Sequence, residues 1–392
     1  MTKKTKNKIL YIDAANSIDD IRIAEKSIWV EEIPKHGYDV HYLLMSSRNS
    51  RIKTSTTHGV TVTRRSRSFL ISYLIFFFQF LRVIRKFKPK FVVIRNRFDL
   101  AILVYPFCWV FKIRTVYIKA FPLIESMLSK VSNKIHETLI NCTLKWEIYL
   151  MQHSNLLIVR SKAHKKYLSD KYNFHKDSLI IPMGINTTMI KKIDETAKIE
   201  LKRMYNLNKP YISIYFGTLG EGRKIDFIVD MVHEVSKIKD TLNFLIVGGS
   251  EEEISNLKKK TQGKHANICF TGIVPREHLF KLLQIADFSI SAVPPQERFL
   301  LSSPTKMFES MAFGCPVLAN KEIVEQKEII EQSNGGILHS YNKQEFVDTI
   351  IQILNEEVDL KAMGEKGRRY IIENRSYSNM ANEIVKQLKL VD

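Results

Sequence analysis

The sequence predicts an α/β protein built from two doubly wound, Rossmann-like domains that face a cleft. Three observations carry this. At 392 residues the chain exceeds the size at which a single hydrophobic core keeps growing. Short β-rich runs alternate with longer helical ones, the mark of a parallel sheet covered on both faces. The same rhythm then starts again after a break near 182–200. A hydrophobic content of 45% fits a globular chain.

In order, 9–13 reads as a strand, 21–33 as an amphipathic helix, and 38–44 as a strand after the Gly37 turn. Segment 69–87 is a helix, 91–94 a strand, 100–111 a helix and 115–118 a strand. Helix 134–152, strand 156–159, helix 163–172 and strand 178–181 complete the first half. In the second half, strands fall at 211–216, 243–247, 267–270, 288–291, 317–320 and 336–338. Helices between them begin near Lys224, Glu251, Arg276, Pro304 and Asn342. The closing helix, 376–390, has no strand after it and could pack back across the domain junction. The expected divisions are 1–182, 183–375 and the closing helix 376–392. Ligands of such sheets bind at the carboxyl ends of the strands.

The most informative segment is Ser303-Pro304-Thr305-Lys306-Met307-Phe308-Glu309-Ser310-Met311-Ala312-Phe313-Gly314-Cys315-Pro316. Pro304 suits a helix start, where its missing N–H costs nothing. Phe308, Met311 and Ala312 repeat at helical spacing, Gly314 supplies the C-cap, and Pro316 blocks continuation. Free N–H groups at the helix start and the Lys306 charge attract an anion, while Glu309 can accept from sugar hydroxyls. The pattern fits a cradle for a diphosphate-linked nucleoside; it also fits an ordinary packed helix with a surface Lys–Glu pair. The turn Phe216-Gly217-Thr218-Leu219-Gly220-Glu221-Gly222-Arg223-Lys224 follows a strand and opens a helix. Its glycines let backbone amides approach a phosphate, and Arg223 offers a bidentate charge. Its spacing matches neither a dinucleotide fingerprint nor a Walker loop, and a flexible surface loop would look similar. Ile180-Ile181-Pro182-Met183-Gly184-Ile185-Asn186 is a strand that stops at Pro-x-Gly, a place for an interdomain hinge.

The net charge of +19 is segregated: 1–182 hold 32 Lys+Arg against 13 Asp+Glu, and 183–392 hold 28 of each. Such a field draws nucleic acid or an anionic membrane. The chain has no helix-turn-helix, RNP or zinc pattern, and its second half is neutral, so nucleic acid is the less favoured partner. Cys108, Cys142, Cys269 and Cys315 lie in apolar stretches without CxxC pairing, which reads as buried, reduced thiols of a cytosolic protein. No secretory signal is visible, and the apolar runs 69–78 and 100–111 are shorter than the ~18–20 residues of a spanning helix.

Taken in order, the Pro-x-Gly-Ile turn, the Gly-rich basic loop, Phe270-Thr271-Gly272-Ile273-Val274, Ala286-Asp287 and Ser-Pro-Thr-Lys-x-x-Glu-x-Met-Ala-x-Gly-x-Pro-Val resemble the GT-B glycosyltransferases of the large family 4 type, the glycosyl transferases group 1. The likeness is strong over 178–340 and looser before it. It implies a transferase that moves a sugar from a nucleoside-diphosphate donor to a hydroxyl of a lipid-linked or cell-surface glycan acceptor. The first domain would bind the acceptor and the second the donor, with retention and with no metal or other cofactor. By the same likeness Arg223 takes the place of the diphosphate-binding Lys, Glu309 binds ribose, and Gly272, Ile273 and Val274 face the base. Ser303, Pro304, Thr305 and Lys306 lie by the phosphates, with Gly217, Thr218, Leu219 and Lys224 completing the donor site.

Some positions depart from the family pattern. Thr218 replaces an Arg, and Lys224 is placed to compensate. Leu301 stands eight positions before Glu309, where many members have a Glu facing the donor sugar. Glu297 could substitute for it, and the loss keeps a silent nucleotide-sugar-binding scaffold open as an alternative. The first Gly-rich loop is replaced by 14–20, whose Asp19 could serve as a base or, with Asp20, cap the next helix. Lys119 stands after strand 115–118, where some relatives place a His.

Segment 66–91 interleaves aromatics with cations: Phe77 and Phe78 with Arg82, Arg85 and Lys86, preceded by Arg64, Arg65 and Arg67. It reads either as a core helix with a solvated basic end or as an interfacial segment on anionic lipid, with the protein peripheral on the inner face of the cell membrane. Oligomeric state leaves no trace in the sequence.

Overall fold

Two sheets organise the chain in the computed structural model, which describes residues 7–46, 55–57, 59–64, 66–128, 133–264 and 267–392. Arg65, one of the expected membrane-contacting cations, lies outside them. The chain divides into one unit of Met1–Pro182 with Tyr377–Asp392 and a second of Met183–Ser376.

The first sheet contains β1 (Asn7–Asp13), β2 (Tyr38–Met45), β3 (Ser55–Thr57), β4 (Val60–Thr63), β5 (Phe91–Arg95), β6 (Arg114–Lys119), β7 (Leu156–Val159) and β8 (Ser178–Ile180). Their spatial order is β3-β4-β2-β1-β5-β6-β7-β8. Every pairing is parallel except β3 with β4. The strands are continuous apolar runs because both faces are covered. Leu10, Ile12, Val92, Ile94 and Tyr117 pack on the face that receives Phe76 and Phe80 of helix Phe69–Phe87 and Val104 and Cys108 of helix Phe98–Val110. The final helix, Tyr377–Leu390, packs on the wound segment Lys26–Glu32, and the side chain of the last residue, Asp392, pairs with Lys90.

The second sheet holds β9 (Tyr211–Phe216), β10 (Leu242–Val247), β11 (Ile268–Gly272), β12 (Phe288–Ser291), β13 (Val317–Asn320) and β14 (Gly336–His339), ordered β11-β10-β9-β12-β13-β14 and wholly parallel. The order reverses between β9 and β12, which is where doubly wound sheets bind their ligands. Alternation sorts the strand side chains. Ile212, Ile214 and Phe216 join Met307, Phe308 and Met311 on one face, while Tyr215, Phe244 and Ile246 meet Ile228, Val229 and Val232 of helix Ile225–Ile238 on the other.

Several expectations need correction. The helix expected over 21–33 is α-helical only at Ile23–Glu25; Lys26–Glu32 winds into wider π turns, and Ile33–His36 tightens around Pro34. The short hairpin of β3 and β4 and the helices Leu123–Leu128, Glu195–Met204, Val324–Ser333 and Leu360–Asn374 were not expected. Cys108 and Cys315 are buried, but Cys142 is exposed and Cys269 half-buried. Cys142 lies on the outer face of helix Lys134–His153, whose inner face is Leu144, Glu147, Leu150 and Met151. Among the described residues no helix is long and apolar enough to cross a membrane.

Candidate active site

The site grows from the carboxyl end of β9. Phe216 ends the strand, and Gly217 turns the chain at φ +127°, a conformation that only glycine adopts at little cost. A Cβ on Gly217 would overlap the terminal atoms of Lys306, so the lysine side chain lies directly against the Gly217 backbone. Its amide donates to the Val247 carbonyl at the end of β10 (2.8 Å), and the Gly248 amide donates to Gly272 at the end of β11 (2.7 Å). Three strand ends are thus tied backbone to backbone. The missing Cβ of Gly248, at φ +110°, leaves room for the Gly217 carbonyl.

Lys306 is the second residue of helix Thr305–Ala312, which Pro304 precedes as N-cap without a capping side chain. Its ammonium donates to the Tyr215 hydroxyl (2.7 Å) and lies 4.1 Å from that ring's centroid. Tyr215 in turn donates to the Thr218 carbonyl (3.1 Å), which fixes the loop that Lys306 touches. Burial, reinforced by the charge of Arg223 and opposed by Glu309, pulls the Lys306 pKa down to about 7. Arg223 sits in the single turn Glu221–Arg223, its guanidinium 4.7 Å from the centroid of the Phe299 ring. Glu309, one turn beyond Lys306, is buried and pairs with Arg276. Burial raises its carboxyl pKa despite Arg276 and Lys306. With Lys306 protonated and Glu309 ionised, Arg223, Lys306 and Arg276 leave the cluster an excess of two positive charges. Two linked phosphoryl groups are a natural complement to such a cluster.

The residues expected to bind the donor gather here from three segments. Gly217, Thr218, Leu219, Arg223 and Lys224 lie on the first loop; Thr218 and Lys224 are exposed and Leu219 is buried. Gly272, Ile273 and Val274 leave β11, with Ile273 79% exposed and Val274 packed on the core. Ser303, Pro304, Thr305, Lys306 and Glu309 form the third segment. The Ser303 hydroxyl accepts from the Met183 amide (2.9 Å) and hydrogen-bonds Glu325. Glu325, ion-paired to Arg375 (2.9 Å), has its pKa raised by burial to about 7.

Glu297 is exposed at the start of the short helix Glu297–Leu300, and Leu301 is buried behind that helix. Asp19 belongs to the first unit and pairs with Lys26 (2.5 Å), 77% of its side chain exposed. It does not cap the following helix, whose N-cap is Arg22.

Tyr215, Arg276 and Phe299 were not among the expected site residues. Tyr215 reads locally as one aromatic in an apolar strand, and Phe299 as one apolar residue in an irregular loop. Arg276 carried a signal, being a cation at the first position of a helix, but its partner is 33 positions away.

The family described as glycosyl transferases group 1 matches residues 197–370. An uncharacterized glycosyltransferase of Methanocaldococcus jannaschii is 24% identical over 239 residues, 60% of this chain and 59% of that protein. The match therefore spans about three fifths of that relative's length. Among solved structures, the fold is similar to sucrose-phosphate synthase from Thermosynechococcus elongatus, with TM-score 0.74, 15% identity and coverage of 98% of this chain and 99% of that one. It is also similar to the Anabaena protein HepE solved with UDP-glucose, with TM-score 0.69, 14% identity and coverage of 97% and 99%. Residues 197–370 of the chain thus match the glycosyl transferases group 1, and its two Rossmann-like domains share the fold of these solved structures.

Proposed function

We propose that the protein transfers a sugar from a nucleoside-diphosphate sugar to a hydroxyl of a lipid-linked or cell-surface glycan, in the synthesis of a polysaccharide, lipopolysaccharide or capsule. One observation carries the reading. Loop 217–224 and segment 303–309, far apart in sequence, bring Lys306 against Gly217 and within reach of the charge of Arg223. The solved complex of HepE with UDP-glucose supports a uridine diphosphate donor by analogy of fold.

In this reading Lys306, Arg223 and the first-turn amides of helix Thr305–Ala312 stabilise the charge that develops on the departing diphosphate. Glu309, held by Arg276, accepts from ribose hydroxyls, and the backbone at 272–274 borders the base. Transfer proceeds with retention and without a divalent metal, the cations of the chain serving in its place. The acceptor is bound by residues 1–182, with Asp19 as a base for its hydroxyl, while Glu297 takes the place of the missing carboxylate toward the donor sugar. The enzyme works in the cytoplasm, at the inner face of the membrane.

A panel of nucleotide sugars screened by thermal shift tests the donor class. A true donor at a hundred times its Kd stabilises the protein by about 2.7 kcal/mol, and chelators leave the shift unchanged. Arg223→Ala and Glu309→Ala should each abolish both the shift and the slow hydrolysis of the donor. Hydrolysis that persists at the parent rate in both variants would refute this site.

A further inference from the structure

Helix Lys134–His153 carries two apolar faces. The inner one, Leu144, Leu150 and Met151 around Glu147, packs on the first sheet. The outer one runs Ile135, Leu139, Cys142, Trp146, Tyr149, at alternating spacings of four and three, and every one of these is exposed. Trp146 is 57% and Ile135 70% exposed. That spacing is a continuous stripe along a helix, and a solvated helix has no reason to keep it apolar. The stripe continues sideways: the Tyr149 ring lies 6.5 Å from Trp109, beside which Val110 and Phe111 end helix Phe98–Val110 with 75% and 63% exposure. Phe77 packs on Phe107 of that same helix (4.9 Å) and is half-buried between the two helices, while Phe78 beside it is 65% exposed.

We infer that this three-helix face, centred on Trp146, Tyr149 and Trp109, docks the first unit on an anionic bilayer. Charge selects the occupant. Lys112, Lys134 and Lys145 and, on helix Phe69–Phe87, Arg82, Arg85 and Lys86 border the face, all exposed. A second copy of the chain seated there would set lysine against lysine, with Glu137 the one carboxylate on the exposed half of the helix. Anionic headgroups accept these cations, while tryptophan and tyrosine sit at headgroup depth and the lysine stems lie along the apolar surface. This deepens the reading of a lipid-linked acceptor, but it is measured without donor or acceptor and so fails separately from it.

The test is sedimentation of the full chain with vesicles of phosphatidylcholine and phosphatidylglycerol (7:3), and with phosphatidylcholine alone. Trp29 is buried, so a blue shift of tryptophan emission on vesicles reports Trp109 and Trp146. We expect strong binding to the anionic vesicles only, with a blue shift. Leu139→Glu with Trp146→Glu should weaken binding tenfold or more while leaving donor hydrolysis in vesicle-free solution unchanged. Lys134→Glu with Lys145→Glu, which alters no apolar contact, should weaken it several-fold. Failure of the parent protein to bind, or unchanged binding in both double variants, overturns the inference. So does a dimer that Trp146→Glu dissociates in the absence of vesicle binding, or salt-sensitive binding to duplex DNA in its place.

Discussion

Lys306→Met will lower turnover of the nucleotide-sugar donor by about 10²–10³-fold, the loss that follows removal of one pre-placed donor to a developing negative charge. The geometry explains why nothing nearby replaces it. The ammonium lies against the Gly217 backbone and is fixed by the Tyr215 hydroxyl, so its position is set before any phosphate arrives. Arg223 approaches from the other segment and rests on Phe299. Lys306→Arg should not restore the rate, because a longer, planar guanidinium does not reproduce an ammonium placed against the Gly217 backbone and the Tyr215 hydroxyl.

The same placement gives a pH signature. With its pKa near 7, against 10.5 for a free lysine, the ammonium is partly deprotonated at neutral pH, and under the proposed function a bound diphosphate would restore the proton. Donor affinity should therefore fall with a slope approaching tenfold per pH unit above about pH 7, and Lys306→Met should flatten that slope. For stability the sign is reversed. Between about 7 and 10.5 the unfolded chain holds a proton that the folded chain has lost, so this group's contribution to stability rises with pH across that window. A pH series of donor titrations alongside thermal melts separates the two.

Much of this was legible in sequence because the signals are local. Helix Phe69–Phe87, strand Leu156–Val159 and strand Val317–Asn320 announce themselves by periodicity and β-branched content, within a few residues of their observed ends. The segment around Lys306 was readable because Pro304, Gly314 and Pro316 punctuate it. What stayed hidden is what depends on two distant segments meeting. Tyr215 under Lys306, Arg276 on Glu309 and Phe299 beneath Arg223 each require a partner that local spacing does not supply. The outer stripe of helix Lys134–His153 was hidden differently. Its sequence is apolar on two sides, and only the packed structure tells which side the sheet covers. The π turns of Lys26–Glu32 left no mark either, since Lys-Ser-Ile-Trp-Val-Glu-Glu has the pattern of an ordinary amphipathic helix.

Lys119→Met will destabilise the first unit by about 3–5 kcal/mol, the cost of leaving a buried charge without its partner. Lys119 ends β6 and is fully buried. Its ammonium donates to Glu147 (2.5 Å) and to Glu125 (3.1 Å), while Tyr117 donates to the other oxygen of Glu147 (2.8 Å). Burial would strip the proton from Lys119, but Glu147 and then Glu125 more than reverse this, and its pKa ends above the ordinary lysine value. Its stabilisation is accordingly whole at neutral pH and is lost only as pH rises through that elevated value. Methionine has nearly the same volume and fills the space, so the loss isolates charge from packing. Two buried carboxylates then face each other without a cation, and both must bind protons or water for the fold to persist. Lys119→Met with Glu147→Gln should recover part of the loss, because the amide keeps an acceptor for Tyr117 and removes one charge. Trp29, Trp109 and Trp146 all lie in the first unit, so urea unfolding followed by tryptophan emission reads that unit alone. Equal midpoints for the parent and Lys119→Met would mean that water reaches this network and screens it. A recovery in the double variant would instead establish the triad of Lys119, Glu147 and Tyr117 as the polar fastening of the first sheet to helix Lys134–His153.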